Sequence, residues 1–291
     1  MYHKAVLLNE AVEALGIGEC KDGVFVDATL GGGGHTRKIL EQLGEKGRLI
    51  VFDKDEDAKE NVPEDKRVTF VRNNFRFVRN YVELFSFLGD KPLKINGLLA
   101  DLGVSSHQFD TAERGFSYRY DSQLDMRMNV KGKTTAADVV NTYSKQDLER
   151  VLREWGEIGN ARAVAEEIVK VQGDINTTGD LCNALKRFYA TGQEKKFLGK
   201  VFQALRIEVN REMEALEDLL EGCKTILAPG AKAVFITYHS LEDRMVKNSF
   251  RDGCKEGIYK LVNKKPILPT EEELTQNGRS RSAKMRIAQK I

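Results

Sequence analysis

The run Asp27-Ala-Thr-Leu-Gly31-Gly-Gly-Gly34-His35 places an acid and four consecutive glycines between an apolar stretch and an amphipathic one. Glycine lets the backbone turn tightly and approach a ligand with no Cβ in the way. A helix starting behind it offers unpaired N–H groups. Asp27, just ahead of the glycines, is placed to meet a ligand's amino group or a loop N–H. Asp53 closes the next apolar run, about 20 residues further on, where an acid can accept hydrogen bonds from two ribose hydroxyls. That pairing suits a nucleoside-bearing cofactor. The glycines do not form G-x-G-x-x-G, which favours S-adenosylmethionine over a nicotinamide dinucleotide. The plain structural alternative is a glycine turn beside a capping acid.

A second acid, Asp101, stands in Ala100-Asp-Leu-Gly-Val-Ser-Ser106 at the end of another apolar run. Ligands of open α/β sheets bind outside the carboxyl ends of strands. A carboxylate there can accept a hydrogen bond from a substrate amine, aim its lone pair at a methyl group and take up charge as it forms. A loop cap is the competing reading. Tyr238-His239-Ser240 puts another polar cluster on the same rim, in which His239 either orients a base or packs under it.

These residues need strands to end where they stand. Residues 23–30, 48–53, 68–72, 97–102 and 233–239 are short apolar runs rich in β-branched side chains, the first four separated by helical stretches such as 35–43. They predict buried parallel strands of a doubly wound α/β sheet. From about Thr111 to Lys200 no convincing strand occurs. Ser144-x-x-Asp147 and Thr177-x-x-Asp180 instead resemble capping boxes, heading helices with Leu148, Val151, Leu152 and Trp155, and with Leu181, Leu185 and Phe188. One long helix is expected to carry Leu205, Val209, Met213, Leu216, Leu220, Cys223 and Leu227. A turn at Ala228-Pro229-Gly230 then leads into the last strand. A helical block thus interrupts a sheet domain.

The chain has 291 residues, 41% hydrophobic and 31% charged, enough to bury a full core under a charged surface and against disorder. The formal charge is only +2, so any basic footprint is local. The last 51 residues hold such an excess, with Arg279, Arg281, Lys284, Arg286 and Lys290 near the end, and make RNA contact a candidate. Cys20, Cys182, Cys223 and Cys254 are scattered, as are His3, His35, His107 and His239. Neither set has zinc-site or disulfide spacing, so no metal and a reduced, cytoplasmic setting are expected. No run approaches the roughly 20 apolar residues of a membrane span.

Together these stretches resemble one family, the bacterial 16S rRNA cytosine-N4 methyltransferases known as RsmH or MraW. The matches run in order from end to end: His3–Glu10, Asp27–His35, Ala100–Gln108, Arg114–Ser117, Leu124–Met128, Phe202–Arg206, Tyr238–Lys247 and Arg279–Ala288. The resemblance implies a class I S-adenosylmethionine-dependent methyltransferase, a Rossmann-like doubly wound sheet with an inserted all-helical domain. Its divisions fall at 1–110, 111–203 and 204–291, the middle piece recognising substrate. It implies methyl transfer to N4 of cytosine 1402 in 16S rRNA of the small ribosomal subunit. Cofactor contacts carried over by motif are Gly33, Gly34, His35, Asp53, Phe75, Asp101 and Gln108, with Phe75 packing on adenine or simply filling core.

In that chemistry Asp101 holds the amine, His239 is the second catalytic candidate, and Arg279, Arg281 and Lys284 reach phosphates. The protein works as a monomer or homodimer. Departures from the family's usual pattern are Lys196-Phe-Leu-Gly-Lys200, Gly156-Glu-Ile-Gly159, Ala5, Ser122-Gln123 and Asn129, most in or beside the insert. They keep three rivals in play: a paralogue with another target, a non-catalytic RNA-binding assembly factor, and, more distantly, a nicotinamide-dependent dehydrogenase.

Overall fold

The computed structural model describes residues 5–89 and 92–291, excluding the side chains of Ser106 and His107. His3 and Lys4 of the first motif lie outside the described residues. Two compact units emerge, one formed by the chain up to Gly103 together with Met213–Ile291, the other by Val104–Glu212.

In the first unit, helix α1 (Leu8–Leu15) leads to strand β1 (Val24–Asp27), α2 (Gly34–Gln42), β2 (Arg48–Phe52), β3 (Val68–Val71), α3 (Val78–Leu88) and β4 (Ile95–Asp101). The strands are short and continuously apolar because both faces are covered, as parallel strands require. β1 lies between β2 and β4, parallel to each, with Asp27 opposite both Val51 and Leu99. The chain therefore reverses its direction of travel across the sheet after β3, opening a crevice at the carboxyl ends of β1 and β4.

The second unit is helical. It contains α4 (Ser106–Asp110), α5 (Ala136–Thr142), α6 (Lys145–Glu154), α7 (Ala161–Lys170), α8 (Thr178–Ala184) and α9 (Glu194–Asn210). Ser144 caps α6 by accepting the Asp147 N–H, and Thr177 with Asp180 forms a reciprocal capping box on α8. The expected periodicity of α6 buries Leu148, Val151 and Leu152. Helix α8 stops sooner than the apolar spacing suggests, with Leu185 at its end and Phe188 in a following 3₁₀ turn. This unit has its own core, to which Val164, Ile168, Val201 and Leu205 contribute. Among its described residues the only strand-like pairing is an isolated bridge, Gln123 to Thr177.

The long helix expected through Leu205 and Leu220 is instead two. Arg211 takes left-handed backbone (φ 50, ψ 46), ending α9 before α10 (Glu212–Ile226) begins. No glycine or proline announces the break, and left-handed backbone disfavours an L-residue by roughly 1–2 kcal/mol. Arg206 clasps Glu212 across it in a two-pronged ion pair at 2.8–2.9 Å.

Back in the sheet unit come β5 (Leu227–Thr237), α11 (Ser240–Lys255), β6 (Tyr259–Leu261), α12 (Glu271–Gln276) and β7 (Lys284–Lys290). The turn at Pro229-Gly230 does not precede β5 but interrupts it. Ile95 pairs with Leu227 and Gly97 with Lys232, so the intervening residues bulge out. The sheet order is β3-β2-β1-β4-β5-β7-β6. β7 runs antiparallel to both β5 and β6, so the sheet is mixed rather than wholly parallel. Neither β6 nor β7 is visible in the sequence, because basic residues mask their pattern. Along β7, Met285, Ile287 and Ala288 are buried among Lys284, Arg286 and Lys290. Among the described residues no helix is long and apolar enough to cross a membrane.

Candidate active site

The carboxyl ends of β1, β2, β4 and β5 carry the singled-out residues of the sheet unit. Asp27 ends β1 fully buried. Its Oδ1 accepts the Thr29 N–H at 3.1 Å and its Oδ2 the Thr36 hydroxyl at 2.6 Å. Of the two partners expected for it, the structure shows the loop N–H. Enclosed in this way, Asp27 shapes the loop and the first turn of α2, and the expected direct contact with cofactor is corrected to that supporting role. Burial pushes its carboxyl up to about 6 against the pull of His35 and its two hydrogen bonds.

The glycine loop is stitched to both neighbouring strands. The Leu30 N–H donates to Phe52 O and the Ala28 N–H to Leu99 O. Gly33 has φ +74, which favours glycine, and a Cβ at Gly34 would stand 2.8 Å from the Ala5 Cβ. Those two glycines are therefore demanded by the protein's own backbone and packing. Gly31 differs: a Cβ there would meet nothing within 4 Å, so the loop is open on that flank.

Asp53, one residue past β2, accepts the Gly31 N–H at 2.9 Å and the Asp55 N–H at 2.8 Å. It remains only partly buried. Burial raises its carboxyl above the usual range, opposed by those N–H donors. Phe75 follows β3 in a 3₁₀ turn capped by Asn74 and is half-buried, so it is not a fully enclosed core side chain.

Asp101 ends β4. Its N–H donates to the Thr29 hydroxyl oxygen at 2.8 Å, locking β4 to the glycine loop. Its Oδ1 accepts the Tyr238 hydroxyl at 2.7 Å, while Oδ2 lies 3.9 Å from His35 Nδ1. The side chain keeps 22% of its surface exposed. Burial raises its carboxyl, and His35, the Tyr238 hydroxyl and the Gly103 N–H pull the other way. His35 itself is buried, its Nε2 3.1 Å from Val6 O.

His239 is committed elsewhere. It is the N-cap of α11, its Nδ1 accepting the Glu242 N–H at 3.4 Å. Glu242 Oε2 returns to accept the Tyr238 and His239 N–H groups. The side chain of this motif that touches Asp101 is Tyr238, which sequence reading passes over. Its only signal is a hydroxyl beside the histidine at a strand end.

Gln108 belongs to the helical unit. It is buried at the start of α4, with Ser105 exchanging hydrogen bonds with it at 3.2 Å. Of the basic cluster, Arg286 is bonded to Asp243 at 2.7 Å and Lys284 lies 3.4 Å from the same carboxylate. They hold that carboxyl below its usual range in spite of burial. Arg279 and Arg281 lie on a 3₁₀ turn before β7, Arg281 exposed. The C-terminal basic run is thus an edge of the sheet, part of it neutralised from within.

Two strand-end carboxylates beside an open glycine flank fit S-adenosylmethionine, which carries a ribose diol and an ammonium group for such acceptors. The chain is 50% identical to ribosomal RNA small subunit methyltransferase H of Bacteroides fragilis, over 99% of this chain and 97% of that one. It is 49% identical to the protein of the same name from Parabacteroides distasonis (100% and 98%). The Flavobacterium johnsoniae protein of that name is 45% identical with the same coverage. Among solved structures, an rRNA methylase from Streptococcus thermophilus is similar at TM-score 0.39 and 10% identity over 97% of this chain and 92% of that one. The model of the MraW methylase family matches residues 1–291, so the chain belongs to that family of class I methyltransferases, with S-adenosylmethionine as its cofactor.

Proposed function

We propose that the protein methylates N4 of cytosine 1402 in 16S rRNA of the small ribosomal subunit. The observation that carries this reading is Asp101, a strand-end carboxylate with one oxygen tied to Tyr238 and part of its surface still open. The names of relatives about half identical along the whole chain support small-subunit rRNA as the target. That similarity spans the insert as well, which weighs against a shifted target despite the unusual Lys196–Lys200 stretch.

Cytosine N4 is a weak nucleophile because its lone pair is delocalised into the ring. The cofactor supplies a methyl group on a positively charged sulfur, already an excellent leaving group, so positioning dominates the catalysis. Asp101 accepts one N–H of the amine, drawing the nitrogen's lone pair out of the ring and stabilising the charge that develops. Burial makes it a stronger base than a solvated aspartate, suited to take the proton that N4 must release. Asp53 accepts from ribose hydroxyls, Phe75 packs on adenine, and Gly33, Gly34 and His35 shape the cradle. Gln108 is carried as a further cofactor contact by the family motif.

The base enters unpaired or flipped, as chemistry at a base edge demands. Residues 104–212 receive the RNA, with Arg279, Arg281 and Lys284 on its phosphates. His239 serves the reaction by capping α11 and fixing the backbone beside Tyr238. The test is transfer from labelled S-adenosylmethionine to small subunits lacking the mark, with the product mapped by mass spectrometry. N4-methylcytidine at 1402 is expected. Good cofactor binding with no transfer there would move the assignment to another substrate.

A further inference from the structure

We infer that Tyr238 is a positioning residue for methyl transfer: its hydroxyl fixes the Asp101 carboxylate so that Oδ2 alone is presented to the substrate amine. The inference rests on the role proposed above for Asp101. Three observations on separate elements carry it. The hydroxyl donates to Asp101 Oδ1 at 2.7 Å, from the end of β5 to the neighbouring strand. The ring lies against Gly103, where a Cβ would come within 2.7 Å of Tyr238 Cε2. The backbone is pinned from below, its N–H donating to Glu242 Oε2 at 2.8 Å. Ring, backbone and hydroxyl are thus each held, and the carboxylate inherits their orientation.

A carboxylate has two equivalent oxygens and rotates readily about its terminal torsion. An acceptor that must meet an amine in line with a methyl carbon has to lose that freedom. Occupying Oδ1 with a neutral donor does so without neutralising the charge, as a lysine or arginine partner would. The same hydroxyl helps a buried carboxylate stay ionised, along with His35 from α2 and the Gly103 N–H, against Glu242 on α11 and Asp27 on β1. Tyr238 itself stays protonated, since burial, Asp101 and Glu242 all push its hydroxyl well above the usual range. It therefore acts by donating, not by exchanging a proton.

The test is Tyr238→Phe, which keeps the ring against Gly103 and removes only the donor. Expected are a fall of about tenfold in kcat, the scale of a missing hydrogen bond to a charged group, and cofactor affinity within about twofold of the parent. The acidic limb of the kcat–pH profile should also move to higher pH, a displacement that a merely structural loss would not cause. Unchanged kcat and an unmoved acidic limb, with Asp101→Asn inactive in parallel, would overturn the role of Tyr238 while leaving that of Asp101. An active Asp101→Asn would overturn both. Should Tyr238→Phe bind cofactor poorly or melt early, Tyr238→His, which restores a donor to the site, separates the cases. Recovery of the acidic limb by histidine supports positioning, and equal loss in both variants at matched cofactor occupancy counts against it.

Discussion

Asp27 and Asp101 end adjacent parallel strands, with Asp27 in register opposite Leu99 two residues before Asp101. Asp27 has no exposed surface, and both its oxygens are engaged by Thr29 and Thr36 within its own loop and the helix behind it. Asp101 has one oxygen engaged by a side chain from the next strand and 22% of its surface open. Burial raises both carboxyls. What separates them is whether the hydrogen-bonding capacity is used up internally. A closed acid holds the loop; an open acid at the same rim is available to a ligand. The basic cluster repeats the lesson, since Arg286 is closed onto Asp243 while Arg281 faces solvent.

Neutralising the two acids should split their effects. Asp101→Asn is expected to lower kcat about a hundredfold, the scale of losing one charge-stabilising group, while the fold survives; steady-state kinetics with circular dichroism checks this. Survival of transfer within about twofold would erase the distinction between the acids. Asp27→Asn should leave kcat within a few-fold but change the pH dependence of stability. Its folded carboxyl, at about 6, lies above the unfolded value near 4. The stability it contributes is therefore fully present below about pH 4 and lost as pH rises through about 6. The variant should gain on the parent by up to about 3 kcal/mol between pH 4 and 7, read by urea unfolding across that range. No differential would mean that Asp27 is not the closed, buried acid described.

Smaller effects sharpen the same contrast. His239→Ala should lower stability by about 1 kcal/mol through removal of the cap of α11, with kcat falling only in proportion to folded protein. A kcat loss at full folding would reopen a direct catalytic role. Arg279→Glu with Arg281→Glu should weaken RNA binding and flatten its salt dependence, by about 0.7 in log–log slope for each single-strand phosphate that is no longer neutralised. An unchanged slope removes this turn from the RNA interface.

Periodicity and glycine placement made the first four strands legible, because buried parallel strands must be apolar on both faces and their loops must turn sharply. The caps of α6 and α8 were equally readable, since Ser144 with Asp147 and Thr177 with Asp180 bond over three residues of local chain. The break at Arg211 was not, because left-handed backbone there is supported by surrounding structure rather than by residue type. Nor was β7, whose inward residues are recognisable only once β5 and β6 lie on either side of it. At the site, the sequence alone determined which acids end which strands and that a glycine loop precedes α2. Only tertiary structure decided that Asp27 is closed, that Asp101 is open on one side, and that Tyr238 rather than His239 touches it. The physical reason is distance along the chain: Tyr238 and Asp101 are 137 residues apart, and their 2.7 Å hydrogen bond exists only through the pairing of β4 with β5.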